Sequence, residues 1–171
     1  DAETMNHWGP DGDGGRKLTD RELLTSSIRT VQDLARDLIA ASADGNLKMI
    51  DKWLNEGANP NFQDTEGMSC IMRATAYGKI ETFKPLLEAK ASVNLIDTNG
   101  DDVVMLAANN GKKECLKALI EAKGSVNTQN KMGRTALSAA VVMNKWPCVD
   151  ILLEAKADIN HQEKNGWSAL M

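Results

Sequence analysis

The sequence is poor in the residues that carry chemistry. It has only two histidines, His7 and His161, far apart in the chain. Neither neighbours a cysteine, serine or acid at a catalytic spacing, so both read as lone surface histidines. There is no G-x-x-x-x-G-K-[ST] phosphate loop and no H-E-x-x-H, and the GDGGRK stretch lacks the flanking strand and helix that give a glycine loop meaning. Neither catalysis nor a bound cofactor has a visible basis. The three cysteines cannot all pair, and none belongs to a C-x-x-C motif. They read as small core residues of a chain from a reducing compartment. No stretch reaches the roughly 18 apolar residues that cross a bilayer, so the chain reads as soluble. Twenty basic residues against 24 acidic ones give a net charge of −4, which offers no general attraction for nucleic acid or anionic lipid.

One metal site is worth weighing. Asp11, Asp13, Leu18 and Glu22 fall at positions 1, 3, 8 and 12 of a calcium-loop frame. Arg16 stands where that frame needs Gly, Gly15 supplies no side-chain ligand, and Gly9-Pro10 precludes the entering helix. No calcium site is expected, and no other metal site is visible.

What the sequence does have is a period. Gly67, Gly100, Gly133 and Gly166 lie 33 residues apart, and Asn61, Asn94, Asn127 and Asn160 keep the same interval. The blocks GMSCIMRATAYGKIETFKPLLEAKASVN, GDDVVMLAANNGKKECLKALIEAKGSVN and GRTALSAAVVMNKWPCVDILLEAKADIN follow three of these glycines. A weaker copy starts near Leu34, and GWSALM from Gly166 opens another. A fixed period of this length marks a solenoid, whose units bury their apolar faces only against neighbouring copies. Within each block the paired apolar residues Leu86 and Leu87, Leu119 and Ile120, and Leu152 and Leu153 have Phe83, Leu116 and Val149 one turn earlier, the spacing of a helix.

These residues resemble the ankyrin repeat, whose pattern runs G-x-T-P-L-H-x-A-A, then G-H, then L-L-x-x-G-A-D-V-N. The resemblance covers roughly residues 34–171. It implies an all-α solenoid of helix-turn-helix units joined by β-hairpin-like loops, with units starting near 34, 67, 100 and 133 and a partial unit from 166. Ser69, Asp102, Thr135 and Ser168 hold its helix-capping Thr position. Two departures stand out. The His of the TPLH turn is Met72, Met105, Ser138 and Met171 here, so the capping network at that turn should be weakened. The Gly that closes the second helix survives as Gly57 but becomes Lys90, Lys123 and Lys156, where a left-handed backbone would cost roughly 1–2 kcal/mol per residue.

Three segments are expected: a flexible Gly-rich tail over residues 1–18, an N-terminal capping helix over 19–36, and repeats over 37–171. Thr19 and Glu22 form a T-x-x-E capping box, and Leu24, Ile28, Val31, Ala35 and Leu38 form an apolar stripe that could cover the first repeat. At the other end, Trp167 and Leu170 stand unsupported, so further repeats, a cap or a partner are expected beyond them.

In the family it resembles, partners are held by the hairpin tips and the exposed side of the first helices, on the concave face. Transferred by position, this selects Glu66, Met68 and Tyr77; Asn99, Asp101, Asn109 and Asn110; Met132, Arg134, Val142 and Met143; and Trp167. The resemblance therefore implies a non-catalytic protein–protein interaction scaffold whose partner is another protein or a larger assembly. Two alternatives are an accessory subunit built permanently into a larger complex, an organellar one included, and the regulatory repeat region of a longer enzyme or channel. A competing surface is a basic ridge of Lys90, Lys123 and Lys156 that would suit an acidic partner.

Overall fold

The computed structural model describes residues 30–164. Among them the chain forms helices α1 (Val31–Asp44), α2 (Leu47–Asn55), α3 (Cys70–Tyr77), α4 (Phe83–Glu88, after a 3-10 turn at Ile80–Thr82), α5 (Val103–Asn109), α6 (Lys113–Glu121), α7 (Ala136–Val142) and α8 (Trp146–Glu154). The described residues hold no named strand, and Ile96 forms an isolated antiparallel bridge with Asp102. First helices pack in series, α1 on α3, α3 on α5 and α5 on α7, while the second helices α6 and α8 pack together behind them. This is the all-α solenoid that the resemblance implies. No described helix is long and apolar enough to cross a membrane.

The first unit starts earlier than expected. Thr30 and Asp33 form a capping box, each side chain accepting from the other's backbone N–H at 3.1 Å, and α1 runs on to Asp44. The boundary expected at residues 36 and 37 thus falls inside one continuous helix. Ala35 and Leu38 belong to the first helix of the first unit, and Val31, assigned to a covering stripe, is 65% exposed. The expected tail, the Thr19–Glu22 box and the rejected calcium loop lie outside the described residues.

Both periodic signals hold neighbouring units together. Gly67, Gly100 and Gly133 have φ of 76°, 83° and 80°. A Cβ on them would come within 2.8 Å of Thr98 N, 3.0 Å of Lys131 N and 3.0 Å of Lys164 N, backbone atoms of the next hairpin. Only glycine meets both demands. Asn61 donates to the Lys90 carbonyl at 3.1 Å and accepts from Ser92 N at 2.7 Å, and Asn127 accepts from Asp158 N at 2.9 Å. Each asparagine satisfies backbone groups about 30 residues away, which ties its unit to the following one.

The departures from the pattern have distinct outcomes. Lys90, Lys123 and Lys156 take φ of 64°, 64° and 60°, so lysine occupies the left-handed position in three successive units. The capping position varies by unit. Thr135 and Ser138 form a reciprocal box, and Asp102 accepts from Met105 N at 2.8 Å. Ser69 Oγ is buried without a hydrogen-bond partner and makes no cap bond to the first turn of α3. Among the described first helices, the side-chain cap bond is missing only at Ser69. Burial pushes the Asp102 carboxyl above its ordinary value, a rise that hydrogen bonds from the Met105 N–H, the Thr128 hydroxyl and the Val104 N–H only partly offset.

Leu86, Leu119 and Leu152, the first of each apolar pair, are fully buried, whereas Leu87 and Ile120 are half-buried and Leu153 is exposed. Cys70, Cys115 and Cys148 are free and buried. Burial pushes the Cys70 thiol up to about 12 and the Cys115 thiol up to about 11, so neither is a nucleophile near neutral pH. Among the described residues no three His, Cys, Asp or Glu side chains converge as metal ligands would.

Candidate partner interface

The hairpin tips are built on a periodic signal that the sequence reading passed over. Asp64, Asp97 and Asn130 recur at the same 33-residue interval as the glycines. Each side-chain oxygen accepts two backbone N–H groups of its own turn: Glu66 and Met68 on Asp64, Asn99 and Asp101 on Asp97, Met132 and Arg134 on Asn130, all at 2.7–2.9 Å. Such Asx turns set the hairpin shape locally. Backbone bonds then join the tips, Thr98 N to Glu66 O at 3.0 Å, Lys131 N to Asn99 O at 3.0 Å and Lys164 N to Met132 O at 3.4 Å. Glu66, Asn99 and Met132 consequently form an exposed row.

A second row lies at the ends of the first helices. Tyr77, Asn110 and Met143 are exposed at equivalent positions, with Asn109 and Val142 beside them. Tyr77 and Met132 are each 59% exposed, a large apolar presentation for residues outside the core pattern. Trp167 lies outside the described residues.

Met68 does not belong in this set. Its side chain is only 6% exposed and packs into the core, because the register position it shares with Asp101 and Arg134 faces the joint between hairpins. Asp101 accepts from Asn130 Nδ2 at 2.7 Å, and Arg134 Nε lies 3.5 Å from the buried Glu163 carboxylate. These two residues stitch units together as well as bordering the surface. His161 is likewise no lone surface group. It is half-buried, with Nε2 at 2.8 Å from the Gly133 carbonyl oxygen and Nδ1 at 3.3 Å from Gln129 Nε2. A carbonyl can only accept, so Nε2 carries the proton of the neutral ring.

The face changes character along the array. In the Gly67 unit, Arg73 reaches from α3 to its own hairpin and binds Asp64 at 2.6 Å and Glu66 at 2.9 Å. Burial pushes the Asp64 carboxyl up, but hydrogen bonds from Arg73 and from the Met68 and Glu66 N–H groups outweigh it, leaving the carboxyl below its ordinary value. Further along, a groove of about 270 Å³ opens between the Gly100 and Gly133 units. Asn99, Asp101, Asn109, Met132 and Arg134 line it, so the structure brings five of the selected residues into one site. Met105 and Ala139 also line it. Neither is marked in the sequence, Ala139 because a small residue gives no positive sign of a vacated space.

Lys90, Lys123 and Lys156 are exposed at the ends of the second helices. Trp146, 59% exposed in the first turn of α8, is also on a second helix and was not singled out from the sequence.

A family model described as ankyrin repeats (3 copies) matches the chain twice, over residues 38–125 and 71–163. No curated protein gives a significant match to the chain.

Proposed function

The chain belongs to the ankyrin repeat family, whose repeats generally mediate protein–protein interaction, and from that premise we propose that it is a non-catalytic interaction scaffold holding a partner protein on its concave face. The groove between the Gly100 and Gly133 units carries this reading. It is the place where hairpin-tip and first-helix residues outside the scaffold pattern converge, and the exposed Val142 and Met143 follow Ala139 at the end of the first helix of the Gly133 unit. Exposed apolar side chains around a polar-rimmed depression are the usual composition of a protein-binding hot spot.

Capture of the partner by the full chain tests this reading. Substituting Tyr77, Met143 or Trp167 by Ala should each weaken capture by at least about 2 kcal/mol if the residue is an anchor, with the circular dichroism spectrum unchanged. Replacing Lys90, Lys123 and Lys156 together by Ala should leave capture intact. Loss of capture in the lysine variant alone would transfer the site to the basic ridge.

A further inference from the structure

The groove and the Arg73 clamp are the same place in two units. Two periods after Arg73, Asp64 and Glu66 stand Ala139, Asn130 and Met132, and all three line the groove. The groove is therefore the space that an arginine side chain and its two carboxylates occupy in the earlier unit. All three charges have gone together. A vacated slot that kept the carboxylates would suit a cation, and one that kept the arginine would suit an anion. This slot keeps neither.

The charged groups that remain at the groove have partners within the protein. Asp101 is held by Asn130 at 2.7 Å, Lys131 Nζ donates to the Thr98 carbonyl at 2.7 Å, and Arg134 faces Glu163 at 3.5 Å. What meets an incoming group is the exposed thioether of Met132, a floor of the buried Met105 and Ala139, and the carboxamide oxygens of Asn99 and Asn109. Methionine sulfur packs favourably against aromatic rings, and a rim carboxamide oxygen can accept an indole N–H. A charged side chain would meet Asp101 or Lys131 only in competition with the hydrogen bonds they already make to Asn130 and the Thr98 carbonyl.

We propose that this groove receives an uncharged aromatic side chain from the partner's docking segment. The proposal rests on the reading that this face holds a protein, and deepens it by naming the chemistry recognised.

The test is carbon-13 methionine-methyl NMR on the full chain, titrated separately with N-acetyltryptophanamide, N-acetylleucinamide and N-acetylargininamide. The tryptophan probe should move the Met105 and Met132 methyl signals upfield in a saturable manner, and the arginine probe should leave them in place. Ala139→Arg, which restores the side chain found at Arg73, should abolish the shift. Met132→Gln should weaken binding of the tryptophan probe and checks the result should Ala139→Arg lower the melting temperature. The proposal is overturned by unmoved methyl signals at the solubility limit of the tryptophan probe, by equal binding of the leucine or arginine probe, or by an unchanged shift in both variants. If the tryptophan probe fails while the partner is still captured through Tyr77 and Met143, the chemistry assigned to the groove is wrong and the scaffold reading stands.

Discussion

The units opening at Gly67 and Gly133 share a hairpin backbone, and three of the positions at which their side chains differ decide what each hairpin offers a partner. In the earlier unit Arg73 spans the slot between helix and hairpin and spends its hydrogen bonds on Asp64 and Glu66. In the later one Ala139, Asn130 and Met132 leave the slot open. The Asx turn, the left-handed glycine and the backbone bond to the next hairpin are common to both. A common hairpin scaffold thus yields a slot filled by charged side chains at one station and an open slot at another. Residues that repeat build the array, and residues that break the repeat set its recognition.

The largest expected effect tests the shared half of this comparison. Leu119→Ala should destabilise the array by about 2–5 kcal/mol, because Leu119 is fully buried. A loss below about 1 kcal/mol in denaturant melts would break the assumption of a common packed register.

Next comes the closed station. Arg73→Ala should cost about 1–2 kcal/mol near neutral pH, since hydrogen bonds to charged groups that are largely shielded are removed. Asp64 is held below its ordinary value, so its contribution is present above the unfolded carboxyl range and is lost as pH falls through the lowered value. The stability gap between wild type and variant should therefore narrow in acid. A gap independent of pH would mean that the clamp acts by packing alone.

A smaller effect concerns the residues that close the second helices. Lys90→Gly should stabilise the fold by about 1 kcal/mol, because Lys90 has a φ of 64°. A lower melting temperature would show that the lysine side chain contributes more than its backbone strain removes.

The smallest effects separate two caps. Thr135→Ala should cost about 1 kcal/mol, as it removes a working capping box. Ser69→Ala should be neutral or slightly stabilising, since Ser69 Oγ makes no hydrogen bond to lose. Equal losses at the two positions in thermal melts would remove the distinction between the units' first turns.

The scaffold was legible in the sequence because its causes are local and repeated. Gly67, Gly100 and Gly133 are forced by backbone angle and close approach, and Asn61 and Asn127 by backbone groups of the next unit that they satisfy. The site was legible only in part. Tyr77, Asn110 and Met143 could be placed by register alone, since exposure at a helix end follows from position. Met68 could not, because nothing in the sequence says whether a residue beside the turn glycine faces solvent or the neighbouring hairpin. Nor could the groove, which exists because Ala139 fails to fill a space, an absence that only the packed neighbour at Met105 makes visible. The first unit was placed late because its start is carried by the Thr30–Asp33 box, while the Thr19–Glu22 box upstream drew the helix boundary toward itself.

Lysine-directed crosslinking mass spectrometry of the native chain with its partner tests the central claim most directly, since lysines mark both competing surfaces. Lys131 stands at the groove and is exposed, whereas Lys90, Lys123 and Lys156 mark the second-helix ends. The account predicts partner crosslinks at Lys131 and few at the other three. Crosslinks confined to Lys90, Lys123 and Lys156 would contradict it.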